Sequence, residues 1–133
     1  MTDNRYLQLL WTYVALTIAA IVAMFFPDHS EPLAIAYDNE PTTWLMSNMW
    51  VASGILGSLA VAWLAGLVGL FRFKRWARSL SLYSTLAGFL IAPFMGAYLS
   101  SGLETSLFDA STTLWGAVLA LSYFSAVSDR FGR

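Results

Sequence analysis

Seven side chains able to bind a metal or move a proton lie in two polar stretches. Asp28, His29, Glu31, Asp38 and Glu40 fall in the first, Glu104 and Asp109 in the second. Six carboxylates and one imidazole could offer oxygen ligands and a nitrogen to a divalent cation. Their spacing matches no ligand loop, and Pro27, Pro32 and Pro41 give the first stretch no helical register. The plainer reading is two solvated loops that exclude Lys and Arg, so no metal site is expected. Catalysis has less to build on. The chain has no cysteine, which removes thiolate nucleophiles, thiolate metal sites and disulfides. A single histidine excludes bis-imidazole haem ligation. Any reaction would have to run on carboxylates such as Glu31 or Glu104, so a non-enzyme without a cofactor is expected.

A second stretch carries the opposite charge: Phe71-Arg72-Phe73-Lys74-Arg75-Trp76-Ala77-Arg78. Cations interleaved with aromatics at the edge of an apolar segment suit anionic lipid headgroups, each cation contributing about 1 kcal/mol near the surface. Arg72, Lys74, Arg75, Trp76 and Arg78 are therefore expected to meet headgroups or the acidic face of a protein partner. Four cations in a chain of net charge −1 make a poor footprint for nucleic acid, which is not an expected partner.

These groups are positioned by four apolar stretches, running from about Leu7 to Phe26, Ser47 to Phe71, Leu80 to Leu99 and Ser111 to Val127. None contains Asp, Glu, Lys, Arg or His. Each approaches the roughly 20 residues that carry a helix through about 30 Å of hydrocarbon. At 58% hydrophobic and 11% charged residues, the chain also has too few charges to cover a water-facing surface, which usually takes about a quarter. The charges it does have are segregated. Arg5, then Arg72, Lys74, Arg75 and Arg78, then Arg130 and Arg133 lie at alternate ends of the spans, and the two intervening gaps contain acids and no Lys or Arg. Positive charge stays on the cytoplasmic side. The expected fold is all-α: a single polytopic four-transmembrane-helix bundle over residues 1–133, spans 7–26, 47–71, 80–99 and 111–127, with both termini cytoplasmic. The loops Pro27–Thr43 and Ser100–Ala110 would lie outside. The first span is expected to be retained rather than cleaved, because its apolar run exceeds a signal core and Pro27 and Pro32 precede Ala34-Ile35-Ala36.

Small residues recur every four positions in the middle spans: Gly54, Ser58, Ala62 and Gly66 in the second, Ser84, Gly88, Ala92 and Gly96 in the third. Such ridges let backbones approach where lipid supplies no hydrophobic drive between helices, so these two spans are expected to form a close antiparallel hairpin. Pro93 should kink the third span. Thr42 or Thr43 is expected to cap the second helix, Gly102 to end the third, and Asp109 or Ser111 to cap the fourth. Asn48 is expected to bond across helices or line an outer vestibule, and Trp63 to pack or form one wall of an aromatic site.

The run Phe71 to Leu80, with Gly88, Pro93-Phe94-Met95-Gly96 and Ser101-Gly102, resembles a loose group of small uncharacterised four-span bacterial membrane proteins. The resemblance covers the C-terminal half and implies a bacterial inner membrane, with no activity to carry over. Small multidrug exporters are built around an acid in the first span, which is missing from Leu7–Phe26. The polar and phenylalanine pore pattern of the dual-topology fluoride channels is also missing. The expected function is a non-catalytic accessory, assembly or regulatory subunit that meets another membrane protein or a second copy. The alternative is a small homo-oligomeric channel or carrier for a neutral or weakly polar solute.

Overall fold

The computed structural model describes residues 3–26 and 31–132. Pro27, Asp28, His29 and Arg133, and the side chain of Glu31, lie outside the described residues. The described chain is all-helical: α1 (Asp3–Ala23), α2 (Glu31–Asp38), α3 (Trp44–Ser47), α4 (Met49–Phe71), α5 (Arg75–Ile91) and α6 (Gly102–Phe124), with 3₁₀ turns over Ala92–Phe94 and Ala126–Gly132. Two of the helices, α1 and α4, are long and apolar enough to cross a membrane. The chain divides into two compact units, Met1–Asn39 with Tyr98–Asp129 and Glu40–Ala97 with Arg130–Arg133.

The first unit is built on α1 against α6. Thr17 meets Ser111 and Tyr13 stacks on Trp115. Four residues forward in one helix match four back in the other, so the two run antiparallel. At the same register Leu10 falls opposite Val118 and Tyr6 opposite Ser122, and all four are fully buried. The spacing Tyr6, Leu10, Tyr13, Thr17, Ala20 alternates four and three residues, as does Ser111, Trp115, Val118, Ser122. This is the heptad pattern that keeps one seam facing its partner along two helices. The Tyr13–Trp115 ring centroids are 4.7 Å apart with planes 26° from parallel. Thr17 Oγ1 lies 2.9 Å from the Tyr13 carbonyl and 2.7 Å from Ser111 Oγ. A hydroxyl has one proton. With that proton on the Tyr13 carbonyl, Ser111 is the donor across the seam.

The second unit packs α4 on α5, also antiparallel. A Cβ built on Gly66 would overlap Ser81 Oγ, and one on Gly69 would lie 2.5 Å from Ala77 Cβ. The α5 side of this seam holds Ala77 and Ser81, both fully buried. Small residues thus face each other on both helices, with Leu70 fully buried near the turn.

Several boundaries differ from the sequence expectation. The third helix stops at Ile91 rather than continuing to Leu99. Pro93 cannot extend the ladder, so the chain tightens into a 3₁₀ turn and then takes a left-handed backbone step at Gly96, whose φ is +86°. Gly102 opens α6 rather than closing the helix before it. Its N-cap is Ser101, eight residues ahead of Asp109, in a full capping box: Glu104 N–H donates to Ser101 Oγ at 3.1 Å and Ser101 N–H to Glu104 Oε2 at 3.4 Å. Thr43 caps only the four-residue α3, and α4 restarts after a break at Asn48.

Candidate functional site

The basic stretch becomes a compact turn in the second unit. Arg72 closes α4, and Phe73 follows with φ +52°. Phe73 N–H donates to the Leu70 carbonyl at 3.1 Å and Lys74 N–H to the Gly69 carbonyl at 2.9 Å. These two bonds make a Schellman motif, which usually places glycine at the left-handed position. A phenylalanine there costs about 1 kcal/mol or more in backbone strain. The ring compensates through contact: Phe73 meets the edge of Phe131 with centroids 5.3 Å apart.

Phe131 is fully buried. The Arg78 guanidinium sits 4.9 Å from its ring centroid, and Arg75 Nε–H donates to its carbonyl at 3.0 Å. Arg72 and Lys74 stay exposed, with no ion pair or side-chain bond among the described residues. Trp76 is half-exposed, and its ring edge also covers Gly69, 3.2 Å from where a Cβ would stand. The five sequence-flagged residues therefore have different settings: Arg75 and Arg78 hold the 130–132 segment, Trp76 roofs the turn, and Arg72 and Lys74 face outward. Phe131 was not among the expected site residues. Its only sequence signal is a large apolar side chain between Arg130 and Arg133.

At the other end of this unit, Thr43 makes the principal contact. Its hydroxyl donates to the Phe94 carbonyl at 2.8 Å, which serves an acceptor exposed by the helix break, and its methyl lies 3.0 Å from where a Cβ on Gly96 would stand. Beside it is an open apolar groove of about 390 Å³ between Trp44, Leu45, Ile55, Ile91, Pro93 and Phe94. A shallower groove of about 250 Å³ follows the α4–α5 seam past Leu59, Trp63, Ser84, Thr85 and Gly88. Asn48 has a local role here: its amide donates to the Trp44 carbonyl at 2.8 Å and to Ser47 Oγ at 3.4 Å, bridging α3 to α4.

The small-residue positions also separate. Gly66 lies on the seam, Ser84 and Gly88 line the groove beside it, Ala62 is half-buried, and Gly54 and Ser58 are exposed. Nothing lies within 4 Å of a Cβ built on Gly54. The cause is geometric: a step of four residues advances about 40° past a full turn, so three steps carry Gly54 roughly 120° from Gly66. Ala92 and Gly96 lie beyond the end of α5 and are exposed.

The acidic groups do not converge. Among the described residues no three His, Asp or Glu side chains are grouped to hold a metal. Asp38, Glu40 and Asp109 are exposed, whereas Glu104 is buried in its capping box with Oε1 lacking a partner. No family model matches the chain, and no curated protein or solved structure does either.

Proposed function

We propose that this chain is an integral inner-membrane protein without catalytic activity, a four-pass bundle with both termini cytoplasmic that serves as an accessory, assembly or regulatory subunit. The observation that carries the reading is the outward face of the two helices long and apolar enough to cross a membrane. Ile18 and Val22 on α1, and Val61, Leu64 and Val68 on α4, are exposed on helices about 32 Å and 35 Å long. Apolar surface of that extent requires lipid or another protein against it. The segregation of all seven cations from the two acidic loops supports the orientation. The α5 helix and its 3₁₀ extension together rise about 32 Å, enough for a third crossing. The fourth crossing rests on the apolar part of α6 beyond Asp109.

A subunit role is supported by the exposed Gly54, Gly57 and Ser58 face of α4, where a Cβ on either glycine would meet nothing within 4 Å among the described residues and which suits close helix contact. Affinity purification from native membranes in mild detergent, read by mass spectrometry and by mass of the particle, tests it. A stable stoichiometric partner is expected, and isolated monomers without one would count against the reading. The groove beside the Pro93 break favours a second reading, a homo-oligomeric channel or carrier for a neutral or weakly polar solute. Solute flux into liposomes containing only this protein would support that reading over the first.

A further inference from the structure

We propose that the apolar groove beside the Pro93 break holds one acyl chain of a phospholipid, and that Glu40 near its rim selects a headgroup bearing a primary ammonium, as in phosphatidylethanolamine. This rests on the bilayer placement of the chain in the function proposed above.

The walls suit hydrocarbon. Leu45, Ile55, Ile91, Pro93 and Phe94 bring no polar side-chain atom. The Thr43 hydroxyl is committed twice, donating to the Phe94 carbonyl at 2.8 Å and accepting from the Met46 N–H at 3.5 Å, so it is not left for a polar solute. Size narrows the occupant further. A helix about 10 Å across fills about 400 Å³ with a single turn, so a groove of about 390 Å³ takes one narrow, flexible chain rather than a helix. Ile55 lies about 9 Å along α4 from Met49, which carries the groove from the rim into the hydrocarbon. Lipid chains fill such a groove in a bilayer, because an apolar wall with no atoms against it forfeits its dispersion contacts. A chain arriving from neighbouring lipid gains no hydrophobic energy, so the headgroup decides which lipid stays.

Charge near the rim makes that choice. Glu40 is exposed, has no ion-pair partner among the described residues, and stands three residues before Thr43, within about 10 Å along the chain. Arg72, Lys74, Arg75 and Arg78 belong to the other end of α4, a helix about 35 Å long. The rim therefore disfavours the net negative headgroup of phosphatidylglycerol and attracts an ammonium. A primary ammonium also donates a charge-assisted hydrogen bond to the carboxylate, which the methylated ammonium of phosphatidylcholine cannot do. The indole N–H of the exposed Trp44 supplies a donor for the lipid phosphate at the same rim. One exposed ion pair of this kind shifts selection by up to about fivefold.

The full chain in phosphatidylcholine vesicles is probed with photoactivatable lipids that carry the same diazirine acyl chain under ethanolamine, choline or glycerol headgroups. Mass spectrometry maps adducts at Ile55 and Ile91 in the groove and, as an internal reference, at Val61 and Leu64 on the exposed face of α4. The groove-to-reference ratio should be about fivefold higher for phosphatidylethanolamine than for phosphatidylglycerol, with phosphatidylcholine between. Glu40→Gln should bring the three ratios together. Ile55→Trp should fill the groove and remove the Ile91 signal while the reference signal persists. Equal ratios for the three headgroups, or an ethanolamine preference that survives Glu40→Gln, would overturn the proposal and leave the bilayer placement standing. A diazirine fatty acid that labels the groove as strongly as phosphatidylethanolamine would assign it to free chains and overturn the phospholipid. Loss of the groove signal alone in native membranes would assign the groove to a protein partner, also against the proposal. Loss of labelling at groove and reference alike would overturn the bilayer placement as well.

Discussion

The two helix pairs of this chain solve the same packing problem with opposite chemistry. The α1–α6 seam is filled with large and hydroxyl-bearing side chains, Tyr6, Tyr13, Trp115, Thr17, Ser111 and Ser122, of which Thr17 bonds to Ser111 and Tyr13 stacks on Trp115 across it. The α4–α5 seam is emptied on both sides, with Gly66 and Gly69 against Ser81 and Ala77, so that backbones approach. A seam made by filling is sensitive to deletion, and a seam made by emptying is sensitive to addition. The difference also bears on adaptability. A stacked aromatic and an oriented hydroxyl pair fix one register, whereas small residues constrain distance more than direction.

The largest test of that contrast is deletion from the first seam. Trp115→Ala should lower stability by about 3 kcal/mol, within the range for removing a buried aromatic, in reversible SDS unfolding followed by circular dichroism. Addition to the second seam comes next. Gly66→Leu should cost about 2 kcal/mol through overlap with Ser81, while Gly54→Leu, where nothing lies within 4 Å, should stay within about 0.5 kcal/mol. Equal effects at the two glycines would mean that α4 packs on a different face. Gly96→Ala should cost about 1 kcal/mol, because both its φ of +86° and the Thr43 methyl oppose a side chain. The smallest effect should be the hydroxyl pair: a double-mutant cycle of Thr17→Val with Ser111→Ala should return a coupling of about 0.6 kcal/mol, typical of interhelical hydrogen bonds in bilayers.

Much of the helical content was legible because apolar runs long enough to span are hard to misread. The charge-free windows anticipated α1 and α4 to within a few residues. What the sequence obscured came from three local causes. The α1–α6 seam was hidden because its members are aromatic or hydroxylated, and only the alternating four-and-three spacing at Tyr6, Leu10, Tyr13 and Thr17 reveals them as one stripe. The regular step of four from Gly54 to Gly66 is conspicuous, yet it winds around the helix, so only its inner end reaches the seam. Helix ends were displaced by single residues acting together: Pro93 with Gly96 truncated α5, and Ser101 with Glu104 began α6 earlier than Asp109 or Ser111 would have. The Phe131 contact was not legible at all, since it depends on a fold that returns residues 130–132 to the basic turn.

The proposed topology rests on where the cations stand, and thiol labelling on intact cells reads that directly. Single cysteines at Thr42 and Ser79, both exposed positions in a cysteine-free chain, would be treated with a membrane-impermeant maleimide before and after permeabilisation. The account predicts that Thr42→Cys reacts on intact cells and that Ser79→Cys reacts only once the inner membrane is opened. Labelling of Ser79→Cys from outside would contradict it.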